Sequence, residues 1–337
     1  MTTCRLTISM KFTKPIPIYI VLLLVLSFRI QAQQVPQFTQ YSLIGLAYNP
    51  AYCGSKDGIN IEGAFRAQWL GMNERPITQS LGVHVPMPIW RSGVGLNVVN
   101  DALGLERKTS IYLNYAYSKV LGQNSAISGG IQAGIIQKGW RGDRFISPDG
   151  EYELGGINHN DNFIPVGAVA SIAPDINLGL LYKTRNLWIG VSVLQLLEPK
   201  NAFTWADNKV KVVNKRHFLA HIAYDIELNR ILNVAPSLLV KTDLVKYQLD
   251  FGANVTYNRM FHGGVFIRGY ERSSLDAVAI SAGVSLGEKW LISYAYDIGI
   301  SKLRNFNSGS HELVVHYKIS NFVSEKGGKT IYNPRFM

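Results

Sequence analysis

The sequence predicts an all-β protein, a transmembrane antiparallel β-barrel of about fourteen strands with short non-barrel segments at both ends. Three observations carry this. Segments of about ten residues with an apolar residue at every second position recur from Gly58 to Ile319, and the cleanest is Tyr247 to Asn258. There Tyr247, Leu249, Phe251, Ala253, Val255 and Tyr257 share one strand face, and Gln248, Asp250, Gly252, Asn254, Thr256 and Asn258 share the other. Beyond the extreme N-terminus, no apolar run approaches the roughly 20 residues of a spanning helix. Lipid accepts only helices or closed sheets, because every backbone polar group must be paired. The third observation is that the spacing of turns sorts by length, as a barrel in an outer membrane requires.

The chain divides into four parts. Residues 1–32 read as a cleaved signal peptide: Lys11 and Lys14 precede the apolar run Pro15 to Phe28, and Ala32 offers a small residue before cleavage at Gln33. An anchor helix is the other reading of that run, but its 14 residues fall short of about 20. Residues 33–57 form an N-terminal segment expected on the periplasmic side, 58–319 the barrel, and 320–337 a periplasmic tail. Strands are expected near 58–69, 78–85, 92–101, 108–121, 125–138, 176–184, 187–197, 216–227, 231–241, 247–257, 261–270, 276–286, 290–298 and 311–319. Short turns at 122–124, 185–186, 228–230, 258–260 and 287–289 then fall at one end, and the long connections 139–175 and 198–215 fall at the other. Segment 163–173 has the composition for a further strand, and Pro236 removes a ladder donor and predicts a bulge.

The whole chain has 34 Lys plus Arg against 23 Asp plus Glu. Residues 33–337 keep 30 basic and 23 acidic side chains, a balance of +7, which suits phosphates of outer-membrane lipids and lipopolysaccharide, although the charges are scattered as on an ordinary solvated surface. Nothing resembles a nucleic-acid-binding motif. Loss of Cys4 with the signal leaves Cys53 as the single thiol, so neither an intrachain disulfide nor a thiolate metal site is available.

Trp69, Tyr117, Tyr182, Tyr257, Trp290 and Tyr296 lie near strand ends as candidate interface anchors. The inward set is polar: Asn60, Glu62, Arg66, Gln68, His84, Asn97, Asp101, Asn114, Gln132, His217, His221, Asp225, Asp250, Asn254, Arg268, Asp297, Glu312 and His316. Such a lining serves either a solute-selective pore or a lumen braced by its own ion pairs.

Catalytic, cofactor and metal residues are not expected. His217 and His221 have a helical metal spacing but sit in a strand, and Gly93-x-Gly95 has no following helix to cradle phosphate. Asp149, Glu151, Glu153 and Asp161 lack the spacing of a calcium loop. Arg141-Gly142-Asp143 spells an adhesion tripeptide of a kind frequent by chance, and no serine-centred elbow marks a lipase.

Pro36-Gln-Phe-Thr-Gln-Tyr41 and Asn49-Pro-Ala-Tyr-Cys-Gly54 open the mature chain. Phe65, Arg66, Gln68 and Trp69 follow in the first strand, then Asn97 to Asp101 with Gly104, and Gly309-Ser-His-Glu312 before the last strand. In this combination the chain resembles the PorP/SprF family of type IX secretion system outer-membrane proteins, with Cys53 where members carry Ala. The resemblance implies a non-enzymatic component of the type IX secretion and gliding machinery, assisting export or surface attachment of secreted proteins such as adhesins. It implies a periplasmic ring or peptidoglycan-binding components as partners. Phe38, Gln40, Tyr41, Asn49, Pro50, Arg335 and Phe336 are the candidate docking residues. A diffusion or substrate-specific channel is the alternative. The mature protein is expected to begin at Gln33 and to run as a heat-modifiable outer-membrane band; N-terminal sequencing that finds Met10 on a cytoplasmic protein would contradict the barrel.

Overall fold

Strand period becomes strand pairing along almost the whole chain. The computed structural model describes residues 35–152, 156–205, 208–270 and 274–319. Seventeen strands occur among them. The first seven are β1 (Ile59–Ala67), β2 (Ile77–Met87), β3 (Ser92–Leu103), β4 (Glu106–Gly122), β5 (Ser125–Arg141), β6 (Ala168–Thr184) and β7 (Leu187–Leu194). A small hairpin, β8 (Lys200–Trp205) and β9 (Asn208–Val213), precedes β10 (His217–Tyr224), the two-residue β11 (Ile226–Glu227) and β12 (Leu232–Thr242). The series ends with β13 (Tyr247–Tyr257), β14 (Phe261–Tyr270), β15 (Ser274–Leu286), β16 (Trp290–Gly299) and β17 (Ser310–Ile319).

Sequential antiparallel neighbours pair around the sheet. β1 pairs with β17, and β10 pairs with β12, so the sheet closes on itself as a fourteen-stranded barrel without a free edge. All six connections at one end, 88–91, 123–124, 185–186, 228–231, 258–260 and 287–289, are short, whereas the other end carries the long connections 142–167 and 195–216 beside the short turns 104–105 and 243–246. By the rule that outer-membrane barrels keep short turns inside, the turn end is periplasmic.

The side-chain alternation follows the sequence reading. Tyr247, Leu249, Phe251, Val255 and Tyr257 are exposed on the wall, whereas Gln248, Asp250 and Gly252 are buried in the lumen. Tyr117, Tyr257 and Trp290 are exposed aromatic residues near strand ends. Trp69 is not an anchor on a strand: β1 stops at Ala67, and Trp69 sits in the connecting loop with φ 54°.

Two local expectations change. Segment 163–173 does not form a separate strand; from Ala168 onward it extends β6, which pairs with β5 from Ala168 to Thr184. Pro236 lies in unbroken register with Ala253 of β13. The interruption falls on the neighbouring strand, where Asp225 separates β10 from β11 and its N–H donates to the Asn186 carbonyl at 2.7 Å. The missing proline donor is thus accommodated by a break in the facing strand instead of by a bulge.

The N-terminal segment departs most from expectation. From Val35 to Asp57 it runs inside the barrel, not on the periplasmic side. Val35 and Pro36 lie beside Asp101 and Lys108 near the loop end, and Cys53 and Gly54 lie against Gly93 near the turn end. Three one-turn 3-10 helices, Tyr41–Leu43, Gly45–Ala47 and Pro50–Tyr52, shape this path. The wall has room because glycines face it: a Cβ at Gly130 would strike Pro50 and Ala51, and one at Gly179 would strike Asn49 and Pro50. The tail residues Arg335 and Phe336, and the signal 1–32, lie outside the described residues.

Val255 faces outward two residues before the turn end of β13. Val255→Leu should leave stability unchanged, and Val255→Arg should cost about 1 kcal/mol, since the site lies toward the interface and not at mid-bilayer. Urea titration in lipid checks this, and equal tolerance of the two changes would contradict the register.

Candidate functional site: the plugged lumen

Polar side chains can enter a barrel interior only if the lumen is wet or the groups pair. Here they pair, and the N-terminal segment supplies many of the partners. At the loop end three cations and three carboxylates form one network. Arg66 contacts Asp297 at 2.6 Å and Glu312 at 3.1 Å; Arg268 contacts Asp250 and Asp297, both at 3.2 Å; Lys241 contacts Asp250 at 2.9 Å. All six side chains are buried. Charges of equal number and opposite sign offset the desolvation that burial imposes.

Thr39 sits at the centre of this clasp. Its hydroxyl accepts from Arg66 at 2.8 Å and donates to Asp297 at 2.7 Å. The backbone N–H groups of Thr39 and Gln40 donate to the two oxygens of Glu312 at 2.7 and 2.8 Å. A carboxylate holding two adjacent amides fixes the chain by charge-assisted bonds, stronger than neutral ones. The network therefore fastens residues 39–40 to one arc of the wall, formed by β14, β16, β17 and β1.

The other residues expected to dock partners are buried in the same lumen. Phe38 packs edge-on to Tyr48, and its N–H donates to the Tyr48 hydroxyl at 3.0 Å. Gln40 accepts from the Ser293 hydroxyl. The Tyr41 hydroxyl lies 2.9 Å from the Ser237 hydroxyl and donates to the Asp250 carbonyl at 3.1 Å. Asn49 caps the turn at Pro50 by accepting from the Ala51 N–H, while its amide donates to the carbonyls of Leu180 and Val191 at 3.0 and 3.3 Å. Asn-Pro is thus a lumen fastener: proline starts the 3-10 turn without a wasted donor, and asparagine ties that turn to β6 and β7. Phe38, Gln40, Tyr41, Asn49 and Pro50 are not a free docking surface in this structure, since the barrel wall already covers them.

Near the turn end, Glu62 pairs with Lys56 at 3.0 Å and lies 3.5 Å from His84. Lys183 donates to the Ser55 carbonyl at 2.7 Å. Tyr52 stacks on Trp188 at 5.7 Å and bonds His221 Nδ1 at 2.9 Å. His217 turns instead to the Lys215 carbonyl, so the two histidines have separate partners. Burial, with the Glu62 charge added, pushes the Cys53 thiol up to about 12.

The filled lumen leaves small voids. The one beside Val35 and Pro36 is about 50 Å³, room for a few waters. The mouth is further covered from β8 and β9: Phe203 stacks on Trp140 at 4.2 Å, and the Asn201 amide donates to the Ile136 and Ser171 carbonyls at 3.1 and 2.8 Å. The adhesion-like tripeptide is internally occupied, with Arg141 paired to Asp143 at 2.9 Å. Outside, an apolar groove of about 830 Å³ opens on the wall, lined by Tyr115, Ile131, Leu178, Leu180, Val191 and Phe218 and floored in part by Gly130 and Gly179.

A family profile described as "Type IX secretion system membrane protein PorP/SprF" matches residues 30–317. The chain belongs to the PorP/SprF family. Curated proteins give no match. Among solved structures, the Ralstonia pickettii toluene transporter TbuX is similar at 11% identity and TM-score 0.49, over 83% of this chain and 93% of that one. The CymD monoaromatic hydrocarbon channel is similar at 12% and 0.49, over 86% and 95%. A Pseudomonas aeruginosa FadL homologue is similar at 10% and 0.46, over 84% and 94%.

The clasp was half legible in the sequence: each of Arg66, Asp250, Arg268, Asp297 and Glu312 reads as inward. Lys241 and Thr39 were missed, although Lys241 shares the inward parity of β12. Thr39→Val should loosen the segment with the wall charges still in place. Its expected readout is faster hydrogen exchange of the amides at positions 39 and 40 in the folded barrel, by at least tenfold; an unchanged rate would show that the clasp does not hold the segment.

Proposed function

We propose that this PorP/SprF barrel is a non-enzymatic adaptor of type IX secretion, assisting export or surface attachment of specific secreted proteins such as adhesins. The observation that carries the reading is the clasp: a lumen fastened shut by the chain's own residues 35–57 is built to present surfaces, not to pass solutes. Family membership supports the secretion context, and the barrel supports an outer-membrane location. Docking to a periplasmic ring or to peptidoglycan-binding components falls to the turn end and to the tail, since the N-terminal segment is engaged within.

The tail 320–337 carries Lys326, Lys329, Arg335 and Phe336, and the last ladder ends at Ile319. Arginine and aromatic side chains are the types that most often dominate interface energy. Removing Lys326–Met337 should leave heat-modified mobility unchanged and reduce surface display of the cognate adhesin several-fold. Deleting the whole gene should abolish display; full display in that deletion would refute the secretion role.

A further inference from the structure

The turn end of the barrel carries a ring of positive charge. Arg91, Lys119, Arg185, Arg230, Arg259 and Lys289 are exposed, and each lies in, or within four residues of, a different one of the six short turns. The exposed carboxylates there, among the described residues, are Glu227 and Glu288. The loop end differs, mixing both signs and pairing Arg141 with Asp143 and Arg144 with Glu74, both at 2.9 Å.

Aromatic side chains accompany the ring. Trp90 precedes Arg91, Tyr117 shares the lipid-facing side of β4 with Lys119, Tyr257 lies two residues before Arg259, and Trp290 follows Lys289; all four rings are 43–65% exposed. An exposed aromatic ring settles at the headgroup level of a bilayer, and a long cation beside it reaches the phosphate layer. The charges also follow the turns around the whole circumference. A protein partner would meet one sector, whereas a lipid leaflet surrounds every turn.

We propose that this ring binds the phosphates of anionic phospholipids in the periplasmic leaflet and so sets the depth of the barrel. The inference rests on the barrel's orientation and is independent of the secretion reading. The test is native mass spectrometry of the full-length protein titrated with phosphatidylglycerol or phosphatidylcholine. Wild type should bind phosphatidylglycerol at least tenfold more tightly. The combined variant Arg91→Asn, Arg230→Gln, Arg259→Asn and Lys289→Gln should bring the two lipids within about twofold; asparagine is chosen where φ is 49° and 55°. The loop-end variant Lys200→Gln, Lys209→Gln and Lys211→Gln should keep the wild-type preference. If the combined variant does not show heat-modified mobility, single changes at Arg230 and Arg259 should each lower the preference about twofold. Equal binding of both lipids by wild type, or a preference retained without the ring, would overturn the proposal. Loss of a periplasmic protein from the ring variant with lipid preference intact would do so as well, and would assign the ring to protein docking.

Discussion

The structure depends on charge neutrality within a small volume. Arg66, Lys241 and Arg268 face Asp250, Asp297 and Glu312 in a lumen from which most water is displaced. Removing one member would leave its partner charged and buried, at about 3–5 kcal/mol. The two backbone amides of Thr39 and Gln40 complete the shell of Glu312, so the network is finished only when the N-terminal segment is in place. The segment therefore depends on the wall for its fastening, while the six wall charges still balance one another without it.

The same dependence explains where the wall is thin. Bringing a polypeptide through a lumen of fourteen strands requires that some strands present no side chain to it. Gly130 and Gly179 do so at Asn49 and Pro50, and Gly93 does so at Cys53 and Gly54. On the outside, Gly130 and Gly179 contribute to the floor of the apolar groove, so one backbone thickness separates the lipid face from the segment there.

The barrel was legible because its cause is local. Alternation in Tyr247–Tyr257 must place Asp250 inside and Phe251 outside once one face is fixed, and a one-residue slip would bury a charge in lipid. The lumen contents were not legible for a matching reason. Residues 35–57 have no strand period, and nothing in Phe38 or Asn49 distinguishes a side chain that meets a partner from one that meets the chain's own wall. The signal lay in pairing across about 270 residues of sequence, such as Thr39 with Glu312, which alternation does not encode. Pro236 shows the same limit at smaller scale: the missing donor was visible, but the strand that would yield to it was not.

A lumen held shut by its own chain has a direct electrical consequence. Single-channel recording of the purified full-length protein in planar bilayers, beside a variant lacking residues 35–55, tests it. The wild type should show no sustained conductance, and the variant should open steps of the size expected for an empty fourteen-stranded barrel. Sustained steps of equal size in both would contradict the closed lumen on which the adaptor reading rests.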